Sequence, residues 1–280
     1  MPPERLDRVA RQYERFGGVS PINQHNRDLV AALQDRLDVP VYWGNRNWRP
    51  FLADTVRQMA DDGVAHALAF VTSAYSSYSS CRQYLEDIAR ARAEVGDGAP
   101  IIEKIRPFFD HPDFAGCFRD ALDGLEALPE EPGRLVFTAH SIPVAMADQC
   151  RYQEQLRHVA AAVAGPDREW DLAYQSRSGP PSVPWLEPDV GDHLEGLAGR
   201  GVRAATVVPI GFVSDHMEVV YDLDVIAAQR AAAAGIAMQR VPTPGASPRF
   251  VKMVSELITE HAERGGLPPD FCYDGCCPPR

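Results

Sequence analysis

GVRAATVVPIGFVSDHMEVVYD, residues 201–222, decides the fold. A glycine turn at Gly201-Val202 leads into an apolar, β-branched run from Ala204 to Ile210, and the polar segment Ser214-Asp215-His216 follows directly. A short apolar run bounded by turn signals is a buried strand, and a polar stretch after it opens the next helix. GVAHALAFVTSAYSSY, residues 63–78, has the same plan: Gly63-Val64, a strand, then Ser76 to Tyr78.

Working outward, the echo continues. Ile105 to Phe114, with Pro112 ahead of its helix, parallels Val241 to Phe250, with Pro248 ahead of its helix. Gly44-Asn45-Arg46 parallels Gln175-Ser176-Arg177, and the helix around Leu29 to Leu33 parallels that around Val159 to Val163. Any two βα units look somewhat alike, but echoes in register favour a duplication. The expected strands are Val39–Trp43, Ala65–Val71, Ile101–Ile105, Leu135–Thr138, Leu172–Gln175, Ala204–Ile210 and Ala237–Val241. Such runs alternating with amphipathic stretches predict an α/β protein of two similar Rossmann-like, three-layer halves with parallel sheets. The expected division is 1–131, 132–246 and a C-terminal piece, 247–280, holding the last helix and a Cys-rich tail. In that helix Ser247 is the expected N-cap, Pro248 suits the first position, and Gly265-Gly266 ends it.

The comparison also exposes a difference. The second half opens on a strand, Arg134 to Thr138, whereas the first opens directly on helix-like sequence. The first strand of the N-terminal half is therefore expected to be missing, and such a strand is usually interior to a doubly wound sheet.

The chain has 280 residues, 45% hydrophobic and 24% charged, which suits two compact domains and argues against disorder. A formal charge of −11 argues against a nucleic-acid surface. No apolar run approaches the length of a membrane span, and the first residues lack a signal-like stretch, so a cytoplasmic protein is expected. Cys81 and Cys117 stand alone, Cys150 opens a helix-like stretch, and Cys272, Cys276 and Cys277 crowd the C-terminus. In a reducing compartment that cluster suggests metal rather than disulfides, with free thiols or zinc as alternatives.

Ligands of open α/β sheets sit beyond the carboxyl ends of the strands. Arg46, Tyr75, Tyr78, His140, His216 and Glu218 follow expected strands and would face one crevice. No glycine-rich phosphate loop follows any strand, and Ser141 beside His140 lacks a nucleophile elbow. A His and a Glu at facing strand ends suit a borderline divalent metal such as Fe²⁺. On position alone the pair is weak, because a lone His is more often structural and Ser214 could simply cap a helix.

Longer words carry more. FTAHSIP at 137–143, QSRSGPPSVPWLEP at 175–188 and PIGFVSDHMEVVYDLD at 209–224 resemble, in order and spacing, the ferrochelatase family, and RQYERFGGVSPI at 11–22 resembles its porphyrin-side segment. VYWGNRNW, TSAYSSYSSCRQY and the Cys-rich tail look most like the actinobacterial branch, understood to act on coproporphyrin III. The resemblance implies a chelatase-like fold and a lyase that inserts Fe²⁺ into coproporphyrin III to give coproheme. Protoporphyrin IX as substrate, a cobalt or nickel chelatase, and a non-catalytic tetrapyrrole or haem binder remain alternatives. It further implies His140 and Glu218 as the metal-handling, catalytic pair. Arg15, Ser20, Arg46, Tyr84 and Trp185 would contact the porphyrin, Trp185 having core packing as its other reading. Asp215, His216, Tyr221 and Asp222 would orient the pair. Cys150 with Cys272, Cys276 and Cys277 resembles the [2Fe–2S] ligand set of some ferrochelatases.

Overall fold

The computed structural model describes residues 10, 13–14, 16–126, 128 and 133–265. Arg15 and the three C-terminal cysteines, Cys272, Cys276 and Cys277, lie outside them. In the first half, helices α1 (Ile22–Gln34) and α2 (Leu52–Asp61) precede strand β1 (His66–Ala69). A π-helical turn, Tyr78–Arg82, runs into α3 (Gln83–Val95), and β2 (Ile101–Lys104) and α4 (Pro112–Asp123) complete the half. The second half begins with β3 (Gly133–His140), a short turn α5 (Val144–Ala147), α6 (Tyr152–Ala164) and β4 (Trp170–Gln175). Next come α7 (Val190–Gly199), β5 (Ala204–Val208) and the turn α8 (Met217–Val219). A π-helix, Val220–Ala227, then continues into α9 (Ala228–Ala233), β6 (Ala237–Arg240) and the long α10 (Pro248–Arg264). No helix among the described residues is long and apolar enough to cross a membrane.

All strand pairs are parallel, as βαβ crossovers require. The second sheet has the order β4-β3-β5-β6, with β3 central and fully buried from Val136 to Ala139. The first sheet, among the described residues, is β1-β2 alone. Both halves place a π-helical segment shortly after the strand-end polar residues, at Tyr78–Arg82 and Val220–Ala227, so the sequence echo reaches backbone geometry.

One expected strand is corrected. Val39–Trp43 forms no strand and joins no ladder among the described residues. Its counterpart β4 pairs only with β3, and the first half has no counterpart of β3 among the described residues. Backbone groups of the segment turn to side chains instead: Gln34 Nε2 donates to Val39 O at 3.2 Å, and Val41 N donates to Gln34 Oε1 at 2.9 Å. A largely apolar groove of about 820 Å³ is bordered by Val39–Gly44 and by His66–Val71, the place that β3 fills in the other half.

The C-terminal helix crosses back to the first half. Ser247 Oγ accepts from Phe250 N, Pro248 opens the helix and Gly265 closes it at φ 64°, where a side chain would be strained. Phe250, fully buried, meets Phe70 and Phe108 edge-on at 6.1 and 6.0 Å between ring centres. That one apolar cluster continues through Phe114 and Phe118 to Leu156, Val159 and Val163 of α6, so both halves share a core.

Candidate active site

The strands of the second half deliver their polar residues to one edge. His140 is the last residue of β3 and pairs in register with Gln175, the last of β4. The exit from β5 passes close against β3: a Cβ on Gly211 would lie 2.5 Å from Ala139 Cα, so only glycine fits there. Gly211 N donates to Thr138 O at 3.0 Å, and this close passage carries Ser214 to Glu218 over to His140.

A cleft of about 660 Å³ lies between the halves. The first half contributes His25, Arg46, Tyr75 and Tyr84 to its lining; the second contributes His140, Tyr152, Trp185, His216 and Glu218. Tyr75 Oη donates across the halves to Ile210 O at 2.8 Å. Tyr152 Oη donates to His140 O at 2.9 Å, which fixes the end of β3.

His140 Nδ1 lies 2.5 Å from Ser141 O, and a carbonyl only accepts, so the proton of a neutral ring belongs on Nδ1. Nε2 is left with a lone pair, 3.8 Å from Glu218 Oε2. Two acceptors facing each other at that distance invite a cation or a proton. His216 caps its helical turn, Nδ1 accepting from Glu218 N at 3.2 Å. Burial pushes its imidazole pKa below the usual value, with His140 and His25 adding to the effect and Glu218 and Asp215 opposing it. Burial pushes the Asp222 carboxyl up, against its hydrogen bond from Ser176. Ser176 holds a left-handed backbone at φ 62°, a strain of the kind that collects at functional sites. Gln175 Nε2 donates to Glu218 O at 3.0 Å.

Arg46 and Tyr84 meet in the cleft, the guanidinium 4.8 Å from the ring centre. Arg46 Nε also stands 2.5 Å from Asp87 Oδ2 at an angle unsuited to a hydrogen bond, so the contact is an ion pair. Trp185 lines the cleft with its ring against Gly179, and Nε1 is buried without a partner among the described residues. Ser20 is not part of the lining; its hydroxyl accepts from Ile22 N at 3.3 Å near the start of α1. Tyr78 also stays outside it, donating to Glu86. Cys150 is half-buried behind α5, its thiol 3.3 Å from Met146 O.

Sequence reasoning missed His25. It stands on the first turn of α1 and its Nδ1 is 2.7 Å from Ser214 Oγ, linking the halves across the cleft. The only sequence signal was its closeness to the GGVSPI segment, since nothing local marks a helix face that meets a residue so far along the chain.

Solved structures share this architecture. SirB from Bacillus subtilis with Fe³⁺ matches with a TM-score of 0.64 at 12% identity, over 88% of this chain and 93% of that one. CbiX, described as the terminal enzyme for siroheme biosynthesis in denitrifying bacteria, matches at 0.54 and 18%, over 86% and 93%. At such identities the likeness concerns the fold. A coproporphyrin III ferrochelatase of Mycolicibacterium vanbaalenii is 53% identical over 99% of this chain and 86% of its own length. The protein of the same name from Nocardia farcinica is 50% identical over all of this chain and 89% of its own. Since the ferrochelatase family model also matches residues 1–262, nearly the whole length that carries the cleft, the chain belongs to the ferrochelatase family.

Proposed function

We propose that this chain inserts Fe²⁺ into coproporphyrin III, giving coproheme and two protons. The observation that carries the reading is the His140–Glu218 pair, two acceptors 3.8 Å apart inside a cleft, one at the end of β3 and one on the turn α8. Relatives at 50–53% identity bear the coproporphyrin name, which favours that substrate over protoporphyrin IX.

The chemistry needs little beyond those groups. Fe²⁺ must shed water, and two pyrrole N–H protons must leave as metal–nitrogen bonds form. The lone pair on His140 Nε2 accepts a proton or binds the arriving metal, and the Glu218 carboxylate takes the partner role. A His216 imidazole kept neutral by burial adds no positive charge against the incoming cation. Arg46 suits a porphyrin carboxylate, because its fork donates twice, and Tyr84 steadies that guanidinium from below. Trp185 would meet the macrocycle edge and Arg15 a carboxylate, while Ser20 acts on the segment entering α1 rather than on the lining.

A [2Fe–2S] cluster would need four thiolates, and Cys150, Cys272, Cys276 and Cys277 supply that count. Cys150 is compatible with such a role, half-buried and outside the cleft, so the cluster would sit apart from the reaction. Iron and acid-labile sulfide analysis of anaerobically purified protein decides it: about two of each per chain is expected, and a colourless, iron-free, stable protein overturns it. A cytoplasmic location belongs to the same reading and is tested by cell fractionation.

The deciding experiment is iron insertion followed spectroscopically with coproporphyrin III and protoporphyrin IX as competing substrates. Faster conversion of coproporphyrin is expected. Tight porphyrin binding without insertion would instead mark a haem or tetrapyrrole carrier, and a preference for cobalt or nickel a different chelatase.

A further inference from the structure

Arg240 ends β6, and its guanidinium holds two carboxylates and the carbonyl of the next residue. Nε donates to Asp224 Oδ1 at 2.5 Å and Nη2 to Asp224 Oδ2 at 2.9 Å, a two-pronged grip on one carboxylate. Nη1 donates to Asp215 Oδ1 at 2.8 Å and to Val241 O at 3.1 Å. Thr243 N reaches the same Asp215 oxygen at 3.4 Å. The Arg240 side chain is only 14% exposed, so water and salt screen these contacts poorly.

Asp215 and Asp224 bracket a segment whose middle carries His216, Glu218 and Asp222. That segment is a single helical turn followed by a π-helix, a form with little intrinsic stability of its own. Glu218 is placed through its backbone, its N on His216 Nδ1 and its O under Gln175 Nε2. Its side chain is 57% exposed and cannot anchor the turn. Val219 and Leu223 bury the segment's apolar side in the core, and the guanidinium ties its two acidic ends, Asp215 and Asp224, to the end of β6.

We propose that Arg240 is a positioning residue for metal insertion: by pinning Asp215 and Asp224 to the end of β6 it sets the gap between Glu218 and His140. Arg240 does not line the cleft. Lysine cannot replace it fully, because a point donor cannot grip both oxygens of Asp224 and still reach Asp215. The inference about activity rests on the chelatase reading; the inference about the clamp does not.

The test compares the full chain with Arg240→Gln, Arg240→Lys, the double variant Arg240→Gln/Asp224→Asn, and Arg249→Gln as an ion-pair control on α10. Amide hydrogen exchange is read first and needs no activity. Arg240→Gln should lose protection by roughly tenfold in peptides spanning 214–224 while 248–264 stays unchanged. Iron insertion is read second. Since a displacement of about 1 Å at a reacting group costs up to about 100-fold, kcat should fall by about 10- to 100-fold, with porphyrin KM within about twofold. Arg240→Lys should lie between, the double variant should be no worse than Arg240→Gln, and Arg249→Gln should match the parent. Unchanged exchange in 214–224 overturns the clamp whatever the kinetics show. Raised exchange with an unchanged kcat overturns its bearing on the reaction. If Arg240→Gln fails to fold, Arg240→Lys carries both readings. A parent chain that inserts no iron refutes the chelatase reading, and the exchange result still decides the clamp.

Discussion

His140 Nε2 stands 3.8 Å from Glu218 Oε2, beyond hydrogen-bond range. In the proposed reaction the pair would act as two separate bases held on one target rather than as a structural couple.

His140→Ala should reduce iron insertion by about 100- to 10,000-fold, the range for removing a positioned acid–base group. Porphyrin affinity, measured by fluorescence titration, should change little, because a neutral imidazole offers no charge to a porphyrin carboxylate. Substantial turnover in the variant would remove His140 from the mechanism.

Arg46→Ala should raise KM for coproporphyrin about tenfold with kcat nearly unchanged, the pattern expected when a contact binds substrate and transition state alike. It also strips one of the two guanidinium partners of the buried Asp87, Arg90 being the other. A loss of about 1–3 kcal/mol in denaturant unfolding should accompany it. A fall in kcat with constant KM would mean that Arg46 serves the reacting centre instead.

His111 gives the fold an acid sensitivity away from the cleft. Its Nδ1 accepts from Asp113 N at the start of α4, and burial holds its pKa down, with Arg106 and Lys252 helping and Glu256 and Asp113 opposing. The unfolded chain binds this proton more readily, so stability is full above about pH 6.5 and declines as pH falls below it. Protonating Nδ1 also abolishes the cap. His111→Asn keeps a capping oxygen without the titration, and should flatten that part of the stability profile by about 1 kcal/mol between pH 7 and 5. Parallel profiles for the two proteins would contradict this.

Phe250→Ala should cost about 3–5 kcal/mol, the usual range for emptying a fully buried aromatic site. Because the ring contacts Phe70 and Phe108, urea unfolding followed by probes in each half should shift together. A shift confined to α10 would show that the helix is an appendage.

Much of this was legible in the sequence for identifiable reasons. Six expected strands match because each is a short apolar run between turn residues, and the last helix was marked by Ser247, Pro248 and Gly265 at its ends and by Phe250, Met253, Val254, Leu257 and Ile258 recurring on one face. That His140 and Glu218 would share one cleft was legible because segments leaving a parallel sheet collect at one edge, whereas their role as a pair came from the family resemblance. Val39–Trp43 failed because a strand needs a neighbour, and pattern within the segment says nothing about one. His25 and Arg240 were illegible for a related reason. Their roles rest on contacts with Ser214 and with Asp215 and Asp224, and no local periodicity encodes a side chain's reach across a cleft or from a strand end to a helix.

The return of α10 to the first half has a consequence for how the protein is made. Phe70 and Phe108 leave the ribosome long before Phe250, yet the three rings close one cluster. The nascent first half must wait with part of its apolar surface open while the whole second half is translated, and the last helix arrives as a late lid on what was synthesised early. Protection of such a chain by chaperones would matter most during that interval, when exposed apolar surface is prone to aggregate.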